Sequence, residues 1–351
     1  MDKNTPIDLD AILNSLHKRR DFMKLFGKGL GYTALASALP ACSSDDPAPA
    51  PPPEPPVIPP ASAEYTALKR TSFGVHRDAL ASIQSMGIDA YLEQQLNYLG
   101  IDDGDLEATI QGLFPLTQRS AADLYYGLPP GVDNFPDNIY NVAIQMTAAT
   151  QYRQMFSQRQ LYEVMVEFWS DHFNIHLVNG LGPTLKPDDD IEVIRRHALG
   201  NFSDLLHASA KSPSMLFYLD NFLNVEAAPN ENYARELMEL HTLGVDGGYT
   251  ETDVKEVARC FTGWTIRFPG DPGGDYGTFF YKHADHDKNA KVVLGNTIST
   301  GDQTDGEQVL DILAAHPSTA QFIATKLCRR FISDTPAQAS IDVVAQAFTS
   351  S

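Results

Sequence analysis

Residues 229–244 read PNENYARELMELHTLG, the stretch with the clearest helix signals in the chain. Asn230 is a favourable helix N-cap, and Gly244 is a favourable terminator because glycine readily adopts the left-handed conformation that ends many helices. Tyr233 and Leu237 lie about one turn apart and predict an apolar stripe that packs against a core. The stretch therefore predicts one amphipathic helix of a mainly helical domain.

The same three- and four-residue spacing of apolar side chains recurs from Glu64 onward, which predicts a mainly α, multi-helix globular domain. Helices are predicted over Arg77–Met86, Asp89–Leu96, Asn138–His176 with a break near Ser157, Asp189–Leu199, Phe202–Ala210, Asn230–Thr242, Glu251–Thr262, Glu307–Ala315, Ser318–Phe331 and Pro336–Phe348. Strand-like segments at Trp264–Phe268, Thr278–Tyr281 and Lys291–Leu294 flank a loop rich in Gly, Asp and Pro, and predict a small β-hairpin excursion.

The chain has 351 residues, 43% of them hydrophobic, which is enough for a packed core. Its formal net charge is −19, and loss of residues 1–41 removes two net positive charges and leaves −21. Because so acidic a surface repels polyphosphates, we expect no nucleic-acid partner. No segment after residue 42 is long and apolar enough to span a bilayer, so membrane attachment is expected through the N-terminus.

The N-terminus resembles an export signal. Arg19 and Arg20 are followed by Asp-Phe-Met-Lys, as in twin-arginine signals, and a short apolar stretch from Leu25 to Leu39 comes next. The stretch ends in Leu-Pro-Ala and then Cys42, which resembles the site where a lipid is attached to a new N-terminal cysteine. The alternative is a cytoplasmic amphipathic helix with a chance arginine pair.

A proline-rich segment, residues 43–62, follows the lipidation site and predicts an extended polyproline-II spacer. The predicted organisation is thus a signal peptide over residues 1–41, the lipidated cysteine and linker over 42–62, and a helical domain over 63–351. The expected location is the periplasmic face of the outer membrane or the cell surface, because Ser43 and not Asp follows the cysteine.

Two histidines predict a metal site. His172 and His176 lie four residues apart, so on a helix they would share a face and suit two ligands of one transition metal. The alternative is that one histidine caps the helix and the other makes a core hydrogen bond.

Four charged residues of the 229–244 stretch are candidate catalytic groups. Glu231, Arg235 and Glu239 fall on one stripe, and Glu236 lies beside it. In one interpretation Arg235 orients a carboxylate that binds metal or acts as a base. In the other, the stripe is an ion-pair ladder.

His286 and Asp287 complete the candidate catalytic set and lie in the predicted hairpin loop. Loops carry functional residues more often than helices do, although His and Asp are also ordinary turn residues. A hydrolytic or lyase site would need this loop to meet the two helical segments in space. Cys260 and Cys328 fall on apolar helices, which favours two buried free thiols over a disulfide.

Several motifs are similar to those of a large bacterial family, domain of unknown function 1800. They are NFSDLL at 201–206, the 229–244 stretch, YTETDV at 249–254, FTGW at 261–264, His286-Asp287 with Lys291, and TAQFIATKL at 319–327. The resemblance implies an exported, mostly helical protein that works beside a sulfatase-like exported partner. It also implies that the domain continues beyond Ser351.

The sequence therefore leaves two hypotheses for function. The first is a lipid-anchored extracytoplasmic enzyme that depends on a metal or cofactor. The second is a non-catalytic surface scaffold or binding module that acts with the sulfatase-like partner.

Overall fold

Helices make up most of the chain in the computed structural model, which describes residues 61–126, 135–177, 180–268, 270–271 and 273–350. The predictions for the export signal, Cys42 and nearly all of the linker lie outside the described residues. None of the described helices has the length and apolar character needed to cross a membrane.

The helical elements are α1 Ala63–Thr71, α2 Arg77–Met86, α3 Ile88–Leu96, α4 Gly104–Leu113, α5 Ala121–Tyr126, α6 Phe135–Phe156, α7 Gln160–His172, α8 Gly182–Asp189, α9 Phe202–Ala210, α10 Pro213–Tyr218, α11 Asn232–Glu236, α12 Glu251–Cys260, α13 Thr304–Ala314, α14 Pro317–Phe331 and α15 Gln338–Ser350. Two of them run on as π-helical turns, α8 through Asp190–Arg195 and α11 through Leu237–Thr242. Short 3-10 turns lie at Tyr98–Gly100, Pro115–Gln118, Asn221–Leu223 and His283–Asp285.

Two small antiparallel hairpins interrupt the helices. Strand β1, Trp264–Ile266, pairs with β2, Phe279–Tyr281, as the sequence predicts. Strand β3, Lys291–Val293, pairs with β4, Asn296–Ile298, a strand that was not predicted from the sequence. Two of the three β4 residues are exposed, so the strand lacks the apolar alternation that marks a half-buried strand.

The main core is formed by side chains of α7, α9, α11, α12, α13 and β1. Its centre includes Phe173, Leu237, Phe261 and Trp264, each at most 1% exposed. Burial of the Trp264 side chain anchors β1 against the helices. Smaller apolar clusters lie between α1, α2 and α3, and between α14 and α15.

Gly263 joins the end of α12 to β1 in a way that requires glycine. Its φ is +79°, and a Cβ at this position would lie 2.5 Å from the carbonyl oxygen of Lys282. The Gly263 carbonyl in turn accepts a hydrogen bond of 2.8 Å from the Lys282 amide. Glycine therefore lets the β2–β3 loop pack directly on the end of α12.

Candidate functional site

His172 and His176 do not form the predicted pair on one helix face. Helix α7 ends at His172, and Phe173 has φ −98° and ψ 52°, so the chain leaves the helix before His176. His172 is 4% exposed, whereas His176 is exposed. The shared-face prediction is wrong because the helix stops one turn earlier than the apolar spacing indicates.

His172 instead contacts the second helical segment. Its Nε2 donates a hydrogen bond of 2.9 Å to the carbonyl oxygen of His241. That carbonyl lies in the last turn of the segment, where the intrahelical partner is missing and another donor is needed. The bond fixes the tautomer, since a carbonyl accepts only from a protonated nitrogen. Nδ1 of His172 is then the acceptor in the neutral ring.

Lys326 supplies the donor for that acceptor. Its Nζ lies 2.7 Å from Nδ1 of His172, although the two residues are 154 positions apart in the chain. Within the described part of the chain, no carboxylate forms a salt bridge with Lys326. Burial lowers the pKa of Lys326, and the charge of the exposed Asp171 offsets only part of that effect. The amine is thus easier to deprotonate than an ordinary lysine.

Both histidines of this cluster are held neutral. Burial, the Lys326 ammonium and His241 lower the pKa of His172 well below its ordinary value. Burial and the same ammonium lower the pKa of His241 to about 3. The imidazole of His241 is 4% exposed, and neither ring nitrogen has a hydrogen-bond partner among the described residues. Residues His172, His241 and Lys326 are called the amine cluster below.

An aromatic shell surrounds the amine cluster and accounts for its low polarity. The rings of Trp169, Phe173 and Phe202 lie 5.5, 4.7 and 6.4 Å from the His172 ring. The ring of Phe322 lies 6.2 Å from it, and Lys326 Nζ is 5.3 Å from the Phe322 centroid. Such rings exclude water while still attracting a cation through their faces.

The π-helical turn positions His241. The amide of Leu243 donates to the carbonyl of Met238, five residues back, at 2.9 Å. Gly244 follows with φ +82°, and a Cβ there would lie 3.0 Å from the Phe322 ring. The glycine therefore ends the helix, as predicted, and also allows α14 to approach the cluster. Single π-turns inside α-helices occur frequently at functional sites.

Within the predicted catalytic stripe, Arg235 and Glu231 form a half-exposed ion-pair group with Glu251. Arg235 donates two hydrogen bonds to Glu251, at 2.8 and 2.7 Å, and a longer one of 3.4 Å to Glu231. Burial raises the pKa of Glu236, and the charge of nearby Glu239 adds to the rise. The ladder interpretation is the better one for Arg235, with Glu251 as the main partner that the sequence analysis did not identify.

His286 and Asp287 belong to a second, separate network at the base of the β2–β3 loop. Nδ1 of His286 donates to the Thr262 carbonyl at 2.7 Å, and Nε2 lies 3.2 Å from Oδ2 of Asp305. Lys291 Nζ donates to the same Oδ2 at 2.6 Å and also bonds the Asp287 carbonyl. His286, Lys291 and Asp305 are each 0% exposed, so solvent does not reach this network.

Asp287 forms a strong ion pair with Arg259. Burial alone would raise the pKa of Asp287, but the Arg259 guanidinium and the Asn289 donors lower it to about 2. Nε of Arg259 lies 2.7 Å from Oδ2 of Asp287. A carboxylate that is so firmly ionised is a poor general base near neutral pH.

The three predicted segments thus form two sites, and only the first two segments meet, through His172 and His241.

Spacing and residue type did not predict the roles of Lys326, Asp305 and His241. The signal for Lys326 was present, because it lies one turn after Phe322 on a helix that is otherwise apolar on this side. A lysine in an apolar stripe is unfavourable unless it has a partner.

Among the described residues, no group of three or more His, Cys, Asp or Glu side chains is arranged to hold a metal ion. Cys260 and Cys328 are buried free thiols, as predicted.

The fold and this geometry define a mainly helical protein with a partly buried amine cluster between its helices, in which no described carboxylate forms a salt bridge with Lys326. The chain belongs to the DUF1800 family, described as proteins of unknown function, whose model matches residues 66–351. This match bears out the resemblance seen in the sequence. No curated protein and no solved structure matches the chain.

Proposed function

We propose that this chain is an exported, lipid-anchored enzyme whose reacting group is the amine of Lys326. The observation that carries the proposal is the 2.7 Å contact between Lys326 Nζ and Nδ1 of His172, in a site where no described carboxylate pairs with the ammonium. Desolvated lysines with lowered pKa values are the usual nucleophiles of Schiff-base enzymes. Export and anchoring rest on Arg19, Arg20 and Cys42 in the sequence.

The substrate class that suits this site is an aldehyde or ketone. The neutral amine attacks the carbonyl carbon, the carbonyl oxygen takes up protons, and one water leaves as the C=N bond forms. His172 is a positioning residue in this scheme. Its Nδ1 accepts one N–H of the Lys326 amine, so the lone pair of that amine is free to point at the carbonyl carbon. His241 keeps the surroundings uncharged, which favours the neutral amine.

Reductive labelling of the full-length chain with Cys42→Ser tests the proposal. A limiting amount of a small aldehyde with cyanoborohydride is added at pH values from 6 to 10, and the modified lysines are located by peptide mass spectrometry. We expect Lys326 to react at lower pH than Lys211, which is similarly accessible but paired with Glu307 at 2.7 Å. Reaction of Lys326 only after Lys211 would contradict the proposal.

The variant His172→Gln separates positioning from simple accessibility. The glutamine keeps a polar side chain at the site but alters the acceptor geometry toward Lys326. We expect labelling of Lys326 to shift to higher pH, while labelling of Lys211 stays unchanged. An unchanged profile at both lysines would remove His172 from the scheme.

A non-catalytic scaffold is the second candidate function, and one observation favours it. Arg235, Arg195 and Lys291 are all in close ion pairs, which is the pattern of structural residues. In this hypothesis the chain binds the sulfatase-like exported partner that the family resemblance implies. Copurification from native membranes distinguishes the two functions, because a stoichiometric complex that survives Lys326→Met supports the scaffold.

A further inference from the structure

A second site lies along α7 at Leu161 and Met165, about two to three helical turns before His172. Helices α1, α3, α7 and α14 enclose a cavity of about 620 Å³. Its wall is mainly hydrocarbon, with Ala67, Leu92, Leu96, Met165, Phe331 and Ile332 among the lining residues. Leu96 and Ile332 are 50% and 52% exposed, so the cavity opens to solvent as an apolar groove. A volume of this size is typical of small-molecule sites.

Polar groups on the groove wall are few and mostly satisfied. The hydroxyl of Thr66 donates to the Ser62 carbonyl at 3.0 Å, and that of Thr71 donates to the Ala67 carbonyl at 2.8 Å. The walls are helices, whose backbone groups are already paired. A peptide would therefore find few partners for its own amide groups here, which favours a ligand that is mostly hydrocarbon.

Arg70 is the one charged residue among those that line the groove. Its Nη1 makes three long contacts, of 3.5, 3.5 and 3.4 Å, to the Arg329 and Arg330 carbonyls and to Asp334. The Asp334 side chain is 93% exposed, so this pair is weak. Nε and Nη2 of Arg70 have no hydrogen-bond partner in the described part of the chain. A guanidinium with two such free donors is suited to bind a carboxylate in bidentate fashion.

We infer that the groove binds a single-chain anionic amphiphile, a long-chain fatty acid, with its alkyl chain against the helix walls and its carboxylate on Arg70. Burial of each methylene contributes about 0.8 kcal/mol, so the chain supplies most of the affinity. The charge on Arg70 supplies the preference for an acid head group. A neighbouring cavity of about 780 Å³ shares the lining residues Met165 and Leu199 with the groove.

Binding of palmitate and of hexadecanol to the full-length chain with Cys42→Ser tests this inference. The substitution removes the proposed lipidation site, whose lipid would otherwise compete. Affinities are measured by native mass spectrometry and by displacement of a fluorescent fatty acid, without detergent. We expect palmitate to bind at least tenfold more tightly than hexadecanol. Between acids of increasing length, affinity should rise about fourfold per methylene until the groove is full.

Two variants and one control assign the site. Arg70→Gln should abolish the preference for the acid while leaving hexadecanol binding unchanged. Arg329→Gln removes the same charge from a neighbouring exposed residue and should have no effect. Leu96→Glu, at the half-exposed rim, should weaken both ligands at least tenfold without unfolding the protein, which circular dichroism verifies.

Several results would overturn the inference. Absence of binding, or equal affinity for the acid and the alcohol in the unmodified chain, rules out the anionic amphiphile. Normal binding in Leu96→Glu places the ligand elsewhere. An equal loss of acid preference in Arg70→Gln and Arg329→Gln shows a general charge effect. Binding only to diacyl phospholipid vesicles identifies a membrane surface site instead of a single-chain site.

Discussion

The Nζ atom of Lys326 lies 2.7 Å from Nδ1 of His172, and no described carboxylate forms a salt bridge with it. Most buried lysines in proteins are paired with an acid, because an isolated ammonium loses its hydration energy without compensation. Here the partner is a neutral ring whose other nitrogen is bonded to the His241 carbonyl. The arrangement lowers the pKa of Lys326 and disfavours its charged form.

Lys326→Met should therefore leave stability unchanged or increase it, while it abolishes the low-pH labelling. The folded-state pKa of Lys326 lies below its unfolded value, so the unfolded chain holds more protons in that interval. The free energy of unfolding of the parent chain should accordingly gain a contribution as pH rises through the interval toward about 10.4. Urea unfolding at pH 7.5 and 9.5 should show that the variant lacks this gain. A large loss of stability at both pH values would instead indicate a structural role.

His241→Phe should reduce the sensitivity of the fold to acid. The pKa of His241 is lowered to about 3, so the unfolded chain takes up a proton below about pH 6.5 that the folded chain refuses. This difference costs about 2 kcal/mol of unfolding free energy at pH 5. Urea unfolding at pH 7.5 and 5.0 should show that the loss on acidification is smaller in the variant by that amount.

His176→Phe is the matched control for that experiment, because His176 is exposed. Its unfolding free energy should fall on acidification as much as that of the parent chain. An equal loss in parent, His241→Phe and His176→Phe would contradict the lowered pKa of His241.

Lys291→Met should be strongly destabilising, because it leaves the fully buried Asp305 without its closest partner. Loss of one member of a buried ion pair typically costs about 3–5 kcal/mol. The double variant Lys291→Met with Asp305→Leu should cost less than the sum of the two single changes, since no unpaired charge remains. Chemical denaturation of the four proteins measures this coupling, and simple additivity would show that the pair contributes nothing specific.

Arg235→Ala should have little effect on the midpoint of thermal unfolding or on labelling of Lys326. Its partner Glu251 is exposed, and exposed ion pairs contribute little net stability. Arg195→Ala should instead lower the midpoint of thermal unfolding. The largely buried guanidinium of Arg195 bonds Glu163 at 3.0 and 3.1 Å and Asp190 at 2.9 Å. A loss of labelling in Arg235→Ala with the fold intact would restore the catalytic interpretation of this stripe.

His176→Gln should not change the metal content of the protein. Elemental analysis of the full-length chain with Cys42→Ser, purified without affinity metal or chelator, is the measurement. Both nitrogens of His172 are engaged, and His176 lies beyond the helix end, so the pair lacks the geometry that one metal needs. Stoichiometric metal that disappears in His176→Gln would return the site to the metal-binding hypothesis.

Local signals in the sequence predicted most of the helices. Arg77–Met86 and Phe202–Ala210 form with the bounds predicted, and the break near Ser157 separates α6 from α7. These features depend on apolar spacing and capping within a few residues. Strand β4 was not predicted because it has only three residues, and two of their side chains are exposed. So short a segment shows no alternation of apolar and polar side chains.

The amine cluster could not be predicted in the same way. Spacing within one helix suggested that His172 pairs with His176, but the partners of His172 are His241 and Lys326, from two distant helices. Only tertiary packing brings them together. Phe173, at which α7 ends, is likewise buried in the core at 1% exposure, and the apolar spacing of the sequence predicted that the helix would continue there.

The π-helical turn at Leu237–Thr242 closes its hydrogen bond across five residues, where an α-turn uses four. Deleting any one residue of the turn would remove the extra residue that the π-turn accommodates and restore regular α-helical winding, so His241 could not keep its present position relative to both ends of the helix. The carbonyl of His241 would then no longer face His172. The cluster should therefore tolerate exchange of the surrounding side chains more readily than the loss or gain of a single backbone position.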